Sequence, residues 1–323
     1  MNNPTVSVVV TCFNQATTLA QTLDSILSQV CTFEYEIIVG DDFSTDGSKE
    51  ICKAYSLKYP EKVKPLFHNQ NIGVAASFVL SVQQAKAYYI AICAADDFWH
   101  NPAKLQQQVD FLEQHQEYGL LYTDYDKLNV KTQKITKSYL STSGVTIYEG
   151  SGLTKTIFSG KFPALTLTVM FRKELFDTYI PAKAYLEMKF TLEDWPTWLI
   201  LSKYTSIAYL PISTATYRYG HESISNLQSY DKLHSRFSNE REMYKYLCNL
   251  FPEELHYDEN EYDRYVNGVF LSLAIKKSDY LSAKRYGEVL SELGDNSIKI
   301  KVLRCEIGFY LYSWMKRIKM SFN

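Results

Sequence analysis

The chain has 323 residues, of which 46% are hydrophobic and 22% are charged, and its formal net charge is −2. This composition is that of a globular protein, so it excludes a wholly disordered chain, and the small net charge excludes nucleic acid as a bulk partner. The length suits one large α/β domain or a catalytic domain with a smaller appendage.

The N-terminal residues carry neither a basic stretch nor a long apolar stretch, so no secretory signal is predicted. No run of about 18 apolar residues predicts a membrane-spanning helix. The six cysteines form no C-x-x-C pair, which argues against a zinc ribbon or a thioredoxin-like site. We therefore expect a cytoplasmic protein with reduced thiols.

The first hundred residues alternate between predicted strands and predicted helices. Apolar and β-branched runs predict four strands, and apolar side chains at helical spacing predict a helix after each strand. The predicted strands are Val6–Val10, Tyr35–Val39, Val63–Phe67 and Tyr88–Cys93. This order predicts an α/β fold with a Rossmann-like, mostly parallel sheet flanked by helices. Functional loops are expected at the carboxyl ends of its strands.

Beyond residue 119 the pattern is mixed. A helix is predicted from about Thr191 to Lys203, and from about Ser229 onward the chain is predicted to be helical and is richer in charge. The further predicted strands are Leu120–Asp124, Leu165–Phe171, Ile207–Leu210 and Ala215–Tyr219. We therefore predict a catalytic domain over residues 1–228 and a helical C-terminal region over residues 229–323.

Three acidic pairs are candidates for a functional site, and two of them stand at strand ends, where functional loops are expected. Asp41–Asp42 and Asp96–Asp97 end the second and fourth predicted strands, and Glu193–Asp194 opens a predicted helix. Carboxylate oxygens in a solvated loop suit Mg²⁺ or Mn²⁺. However, Asp also favours helix N-caps and turns, and an acid in the first helical turn is favoured by the helix dipole. Position alone leaves both interpretations open.

Arg218 and His221 are further candidates near the end of the last predicted strand. An arginine can bind phosphate and a histidine can bind phosphate or a metal ion. A single histidine in a loop is also commonly an exposed side chain with no ligand.

Taken together, these segments resemble family 2 of the glycosyltransferases, which has the GT-A fold, from about Val6 to Ser225. Each matching segment is short, but five of them in this order and spacing are specific. The segments are Val6–Asn14, Asp41–Ser48, Asn71–Gly73, Ala95–Asp97 and Glu193–Trp195.

The resemblance implies a metal-dependent, inverting glycosyltransferase that moves a sugar from a nucleotide-sugar donor, most often a UDP-sugar, to an acceptor hydroxyl. Asp194 would be the catalytic base, with Glu193 and Trp195 as neighbouring candidates. Asp97 would bind Mn²⁺ or Mg²⁺, with His221 as a further ligand. The residues implied in binding the donor nucleotide are Thr11, Phe13, Asn14, Asp42, Asn71, Gly73 and Asp96.

Two positions depart from the family pattern. Ala94 stands where many relatives have an acid, and Ser77 stands where relatives often have Arg or Asn. The departure at Ala94 leaves an alternative open, a protein that binds nucleotide sugars without turning them over. The first β–α turn lacks G-x-G-x-x-G and the chain lacks G-x-x-x-x-G-K-[ST], which argues against a dinucleotide-dependent oxidoreductase and a P-loop NTPase.

The last segment, Ile298–Asn323, mixes basic and aromatic side chains. Such a segment suits peripheral contact with the inner face of a membrane, and equally suits a helix that packs on the catalytic domain. Membrane contact would fit a glycan or lipid-linked saccharide acceptor, as in bacterial surface polysaccharide biosynthesis.

Overall fold

The computed structural model describes residues 3–220, 229–295 and 309–310. The chain divides into two compact units, Met1–His221 and Glu222–Asn323.

The first unit is built on a nine-stranded mixed sheet with the strand order β3-β2-β1-β4-β8-β6-β9-β5 and with β7 paired to β6. Its strands are β1 (Val6–Cys12), β2 (Tyr35–Asp41), β3 (Val63–Phe67), β4 (Tyr89–Ala94), β5 (Phe98–Trp99), β6 (Tyr118–Asn129), β7 (Ile135–Thr136), β8 (Met170–Arg172) and β9 (Ser206–Tyr219).

The four strands β3, β2, β1 and β4 run parallel, as the alternating pattern predicts. Every residue of β1 is buried, because helices cover both faces of such a sheet. Cys12 pairs with Asp41 and Thr11 pairs with Ala94 in the register. The carboxyl ends of β1, β2 and β4 therefore meet at one edge, and so do the loops that follow them.

Nine helices pack around this sheet within the described part of the first unit. They are α1 (Leu19–Leu27), α2 (Ser48–Lys58), α3 (Val74–Gln84), α4 (Lys104–Gln114), α5 (Tyr139–Thr142), α6 (Thr154–Phe158), α7 (Lys173–Tyr179), α8 (Ala182–Glu187) and α9 (Asp194–Tyr204). α3 lies very close to β2, since a Cβ atom added to Gly40 would lie 2.4 Å from Ser81 Oγ and 2.9 Å from Ser77 Oγ.

The predicted strand Leu165–Phe171 is wrong over its first half. A 3-10 helix, Thr166–Thr168, comes first, and only Met170–Arg172 forms strand β8. Thr168 Oγ1 donates a hydrogen bond to the carbonyl of Leu165 at 2.7 Å, a local bond that competes with strand pairing.

The two predicted strands after residue 206 form one strand, β9. Its pairing with β6 shifts register between Thr123 and Asp124, next to Pro211 on β9. Proline has no N–H to donate to the ladder, so it sits at an irregularity rather than ending the strand.

The second unit is helical in its described residues, as predicted, with α10 (Tyr230–Leu250), α11 (Glu259–Lys277) and α12 (Tyr280–Glu292). Asp258 and Asp279 cap α11 and α12 by accepting hydrogen bonds from the N–H groups of Glu261 and Ser282. None of the described helices is long and apolar enough to cross a membrane. The segment Ile298–Asn323 lies outside the described residues except for two of its members.

Candidate functional site

The loop after β1 is tied to the loop after β2 by hydrogen bonds. The N–H of Asn14 donates to Ser44 Oγ at 2.9 Å, and Asn14 Oδ1 accepts from the N–H of Thr45 at 2.8 Å. Asn14 has a φ of 53°, a left-handed conformation that asparagine tolerates better than most residues. Its side chain and backbone thus hold the two loops together.

Thr11 and Phe13 flank the end of β1. Thr11 is buried, and its carbonyl accepts a hydrogen bond from the N–H of Ala95 at 3.0 Å, which joins β1 to the loop after β4. The Phe13 side chain is 47% exposed. An exposed ring at this edge of the sheet offers a face on which a planar base can stack.

Asp42 clamps the loop after β2 onto the start of α3. Its Oδ1 accepts a hydrogen bond from the N–H of Ile72 at 2.7 Å, and its Oδ2 accepts one from the N–H of Gly73 at 2.9 Å. The Asn71 side chain donates to the carbonyl of Asp42 at 3.2 Å. Asp42 is only 3% exposed, and these donors satisfy both oxygens of its buried carboxyl group. Asp42, Asn71 and Gly73, which the sequence placed in one group, therefore lie together.

Ser77 is buried in α3 and its Oγ lies 3.0 Å from Nε2 of His68. The N–H of His68 in turn donates to the carbonyl of Asp41 at 3.1 Å. The position where relatives often have Arg or Asn is therefore filled by a small side chain packed against the sheet. Sequence reasoning did not single out His68.

Asp97 points into the molecule at the end of β4. It is 4% exposed, and its Oδ1 accepts a hydrogen bond from the N–H of Arg218 in β9 at 2.8 Å. Thr22 Oγ1 donates to the carbonyl of Asp97 at 2.6 Å and lies 3.0 Å from that of Ala95, which fixes the loop from below. No hydrogen bond from a described residue reaches Asp97 Oδ2.

The Arg218 guanidinium holds the same loop. It donates to the carbonyl of Asp96 at 2.5 Å and to the side chain of Gln21, and it lies 4.5 Å from the centre of the Phe98 ring. Burial lowers the pKa of Arg218, although Asp97 and Asp96 oppose that effect. Both the backbone and the side chain of Arg218 thus position the Asp96–Asp97 pair.

The environment of Asp97 fits a bound cation. Burial, and then the charge of Asp96, raise the pKa of Asp97 well above its usual range, while the N–H and charge of Arg218 lower it. A divalent cation would favour the ionised form, and Mg²⁺ is commonly held by one or two carboxylates together with substrate phosphates. The described residues contain no cluster of three or more acidic, histidine or cysteine side chains that could hold a metal ion. His221 lies outside the described residues.

Glu193 and Asp194 open helix α9, with Glu193 buried and Asp194 half-buried. Asp194 Oδ1 accepts a hydrogen bond from the N–H of Trp195 at 2.6 Å, and its Oδ2 accepts one from Thr166 Oγ1 at 3.0 Å. The Trp195 indole donates to the carbonyl of Ile157 at 2.7 Å. The Asp194 carboxylate is therefore held on both of its oxygens.

The two acids of this pair have raised pKa values. Burial raises the pKa of Glu193 to about 8, and the charges of Asp194 and Asp96 act in the same direction. Burial also raises the pKa of Asp194, while the hydrogen bonds from Trp195 and Thr166 lower it. The Trp99 indole donates to the carbonyl of Leu167 and the Thr166 hydroxyl donates to Asp194, so hydrogen bonds through residues 166–167 connect the chain just after Asp97 to the Asp194 carboxylate.

Three further residues hold the acidic side chains or their loops in place, although no sequence motif contains them: Thr166, Gln21 and Thr22. Thr22 and Gln21 lie in a helix whose apolar face was predicted correctly, but their contacts to the Asp96–Asp97 loop involve residues far along the chain. Thr166 lay in the segment predicted as a strand.

The family model described as "Glycosyl transferase family 2" matches residues 7–179. TuaG of Bacillus subtilis, named as a teichuronic acid biosynthesis glycosyltransferase, is 28% identical over 224 residues, which are 69% of this chain and 82% of TuaG. The chain spans about a third of the length of the mycobacterial proteins that it matches at 37% identity over 111 residues.

Two solved structures share the fold. S. aureus TarS 1-349 in complex with UDP-GlcNAc gives a TM-score of 0.54 at 15% identity, covering 96% of this chain and 89% of that one. The mannosyltransferase PcManGT of Pyrobaculum calidifontis, in complex with GDP-Man and Mn²⁺, gives 0.51 at 13% identity, covering 94% and 79%. These matches confirm the predicted GT-A fold. With the family model covering more than half of its length, the chain belongs to glycosyl transferase family 2.

Proposed function

We propose that this chain is a metal-dependent, inverting glycosyltransferase that moves a sugar from a nucleotide-diphosphate donor, in the first place a UDP-sugar, to a hydroxyl of a glycan or lipid-linked saccharide. The observation that carries the proposal is that residues 166–167 hydrogen-bond both to Trp99, which lies two residues after Asp97, and to the Asp194 carboxylate. Groups suited to a leaving diphosphate and groups suited to an acceptor hydroxyl thus share one site.

The donor nucleotide would bind along the carboxyl edge of β1, β2 and β4. Phe13 offers an exposed ring for the base, and Thr11, Asn14 and Asp42 border the same edge. Each Asp42 oxygen already accepts one backbone N–H, and a carboxylate oxygen can accept a second donor such as a base N–H. Asn71 and Gly73 would act by shaping this loop, and Asp96 by contacting the ribose or sugar.

Asp97 would hold Mn²⁺ or Mg²⁺ through the oxygen that no described donor reaches. The cation, when bound, would neutralise charge on the diphosphate leaving group. Arg218 keeps Asp97 in place through its N–H and keeps the Asp96 carbonyl in place through its guanidinium. We place Arg218 as a support of this loop and not as a phosphate ligand.

Asp194 would act as the general base. Its carboxylate would take the proton from the acceptor hydroxyl as the hydroxyl oxygen forms a bond to the anomeric carbon and the bond from that carbon to the diphosphate breaks. A single displacement of this kind inverts the anomeric centre. The raised pKa of Asp194 brings it closer to working pH, which makes it a stronger base than an exposed aspartate. Glu193 and Trp195 would line the acceptor side.

The test is the release of nucleoside diphosphate from UDP-GlcNAc, UDP-glucose, GDP-mannose and dTDP-glucose with Mn²⁺, with Mg²⁺ or with EDTA. We expect metal-dependent release from one donor class, lowered about a hundredfold or more by Asp194→Asn, with donor affinity kept. Asp110→Asn is the matched control, since Asp110 is an exposed residue of α4 that accepts a hydrogen bond only from Gln106 among the described residues. No binding of any of these donors to the wild-type chain would refute the proposal.

The alternative, a nucleotide-sugar-binding protein without turnover, is favoured by Ala94, which carries no acid next to the Asp96–Asp97 pair. Metal-dependent donor binding, with no release of diphosphate across a panel of acceptor saccharides, would support it. The assignment of catalysis to residues 1–228, the cytoplasmic location and membrane contact through Ile298–Asn323 stay predictions. The names of TuaG and of the TarS complex support a UDP-sugar donor and a role in surface polysaccharide biosynthesis.

A further inference from the structure

We propose that Thr166, on the 3-10 helix Thr166–Thr168, is a positioning residue that fixes the orientation of the Asp194 carboxylate. The inference rests on the proposed function, because it concerns the base of that reaction. Thr166 touches Asp194 and no reacting atom, so its role is exerted through Asp194.

The Asp194 carboxylate is held by one side-chain donor and one backbone donor. Thr166 Oγ1 donates to Asp194 Oδ2 at 3.0 Å, while the N–H of Trp195 donates to Oδ1 at 2.6 Å. Two donors on opposite oxygens fix the rotation of a carboxylate, whereas one donor leaves it free to turn about that bond. The Trp195 donor belongs to the backbone of α9, so the Thr166 hydroxyl is the part of this arrangement that a side chain supplies.

The 3-10 helix is anchored by side chains from β5 and α4. The Trp99 indole donates to the carbonyl of Leu167 at 3.1 Å. The carbonyl of Thr168 accepts from Gln108 Nε2 at 2.9 Å and from Lys104 Nζ at 3.3 Å. These three side chains are buried, so their hydrogen bonds are shielded from water and hold the turn firmly.

The side chains that anchor the 3-10 helix belong to the chain segment that follows Asp97. Trp99 ends β5, which begins directly after Asp97, and Lys104 begins α4 a few residues later. The chain that carries the proposed metal ligand therefore continues into the side chains that hold Thr166. We infer that the 3-10 helix links the donor half of the site to the Asp194 carboxylate.

The pKa of Asp194 depends on the Thr166 hydroxyl and on the charged groups nearby. Glu193 is the adjacent acid and Asp96 acts on Glu193, whereas the 3-10 helix carries no titratable side chain. α6, which receives the Trp195 indole, carries Lys155, an exposed residue. A hydrogen bond to the ionised carboxylate lowers its pKa, so loss of the hydroxyl should raise the pKa of Asp194 further.

The experiment compares Thr166→Val, which keeps the shape but removes the hydroxyl, with Thr166→Ser, which keeps the hydroxyl. The pKa of Asp194 is read by ¹³C NMR of protein labelled at the aspartate carboxyl carbon, with the Asp194→Asn spectrum to assign the signal. For Thr166→Val we expect a pKa about one unit higher and kcat about tenfold lower at unchanged donor KM. Thr166→Ser should restore both values.

Thr142→Val in α5 is the matched control, because the exposed Thr142 hydroxyl donates only to the carbonyls of Lys137 and Ser138 among the described residues. It should leave the pKa of Asp194 in place. An active enzyme in which Thr166→Val changes neither the pKa nor kcat would overturn this inference alone. A wild-type chain without donor binding or turnover would overturn the proposed function, and the NMR comparison would still decide whether the contact controls Asp194.

Discussion

Two pairs of aspartates lie at the carboxyl edge of the sheet, Asp41–Asp42 at the end of β2 and Asp96–Asp97 in the loop after β4. In the first pair, both oxygens of Asp42 accept backbone N–H groups at the start of α3. In the second pair, Asp97 accepts one described N–H, that of Arg218, and burial raises its pKa. Asp42 is thus part of the framework of the site. Asp97 is buried with a raised pKa, and a bound cation would favour its ionised form.

Asp97→Asn should separate the two roles most clearly. Its Oδ1 can still accept the Arg218 N–H, so the fold should be kept, but we expect turnover to fall about a thousandfold because the variant would lose the proposed cation ligand. The pKa of Asp97 is raised on folding, so its ionisation destabilises the fold as pH rises from about 4. At pH 7 in EDTA the variant should therefore be more stable than the wild type in urea unfolding.

A less stable Asp97→Asn variant would contradict this account of Asp97. Unchanged metal dependence of donor release would contradict Asp97 as a ligand.

Asp42→Ala should have the opposite effect on stability. Removal of the carboxylate leaves the N–H groups of Ile72 and Gly73 without acceptors, and we expect a loss of about 3 kcal/mol in the free energy of unfolding. Urea unfolding at pH 7 measures it, with Asp110→Ala in α4 as the exposed control. A loss below about 0.5 kcal/mol would mean that Asp42 is not a framework residue.

Lys104 is a buried lysine at the start of α4, which follows the loop after β4. Burial lowers its pKa to about 7, while in the unfolded chain it remains near 10.5. Between these values the unfolded state binds the extra proton, so the stability of the wild type should rise with pH, by about 2 kcal/mol between pH 7 and 9.5.

Lys104→Met should remove that rise, which urea unfolding at the two pH values would detect as a difference in slope. Equal slopes for the two proteins would show that Lys104 is charged in the folded state throughout this range.

The sequence was sufficient for the parallel half of the sheet and for the family. A buried parallel strand is a continuous apolar run, and β1, β2 and β4 each show one that ends in a polar loop. Which of these aspartates accept backbone N–H groups was not predictable, because the donors are distant in sequence. The Ile72 N–H lies 30 residues beyond Asp42, and the Arg218 N–H lies 121 residues beyond Asp97.

The segment around Thr166 was not predictable for a related reason. Leu165–Phe171 alternates apolar and threonine residues before its apolar end, which is typical of a strand. Its actual conformation depends on the buried side chains of Trp99, Lys104 and Gln108, which bind its carbonyl groups from another part of the chain. Tertiary contacts of this kind override local propensity.

Gly40 limits how the contact between β2 and α3 can change during evolution. Because α3 lies so close to β2 there, positions 40, 77 and 81 are expected to change together among descendants of this chain. Transplanting the arginine that relatives often carry at position 77 would place a long side chain where a serine already fills the space. A larger side chain at any one of these three positions should therefore be accommodated only together with changes at the other two.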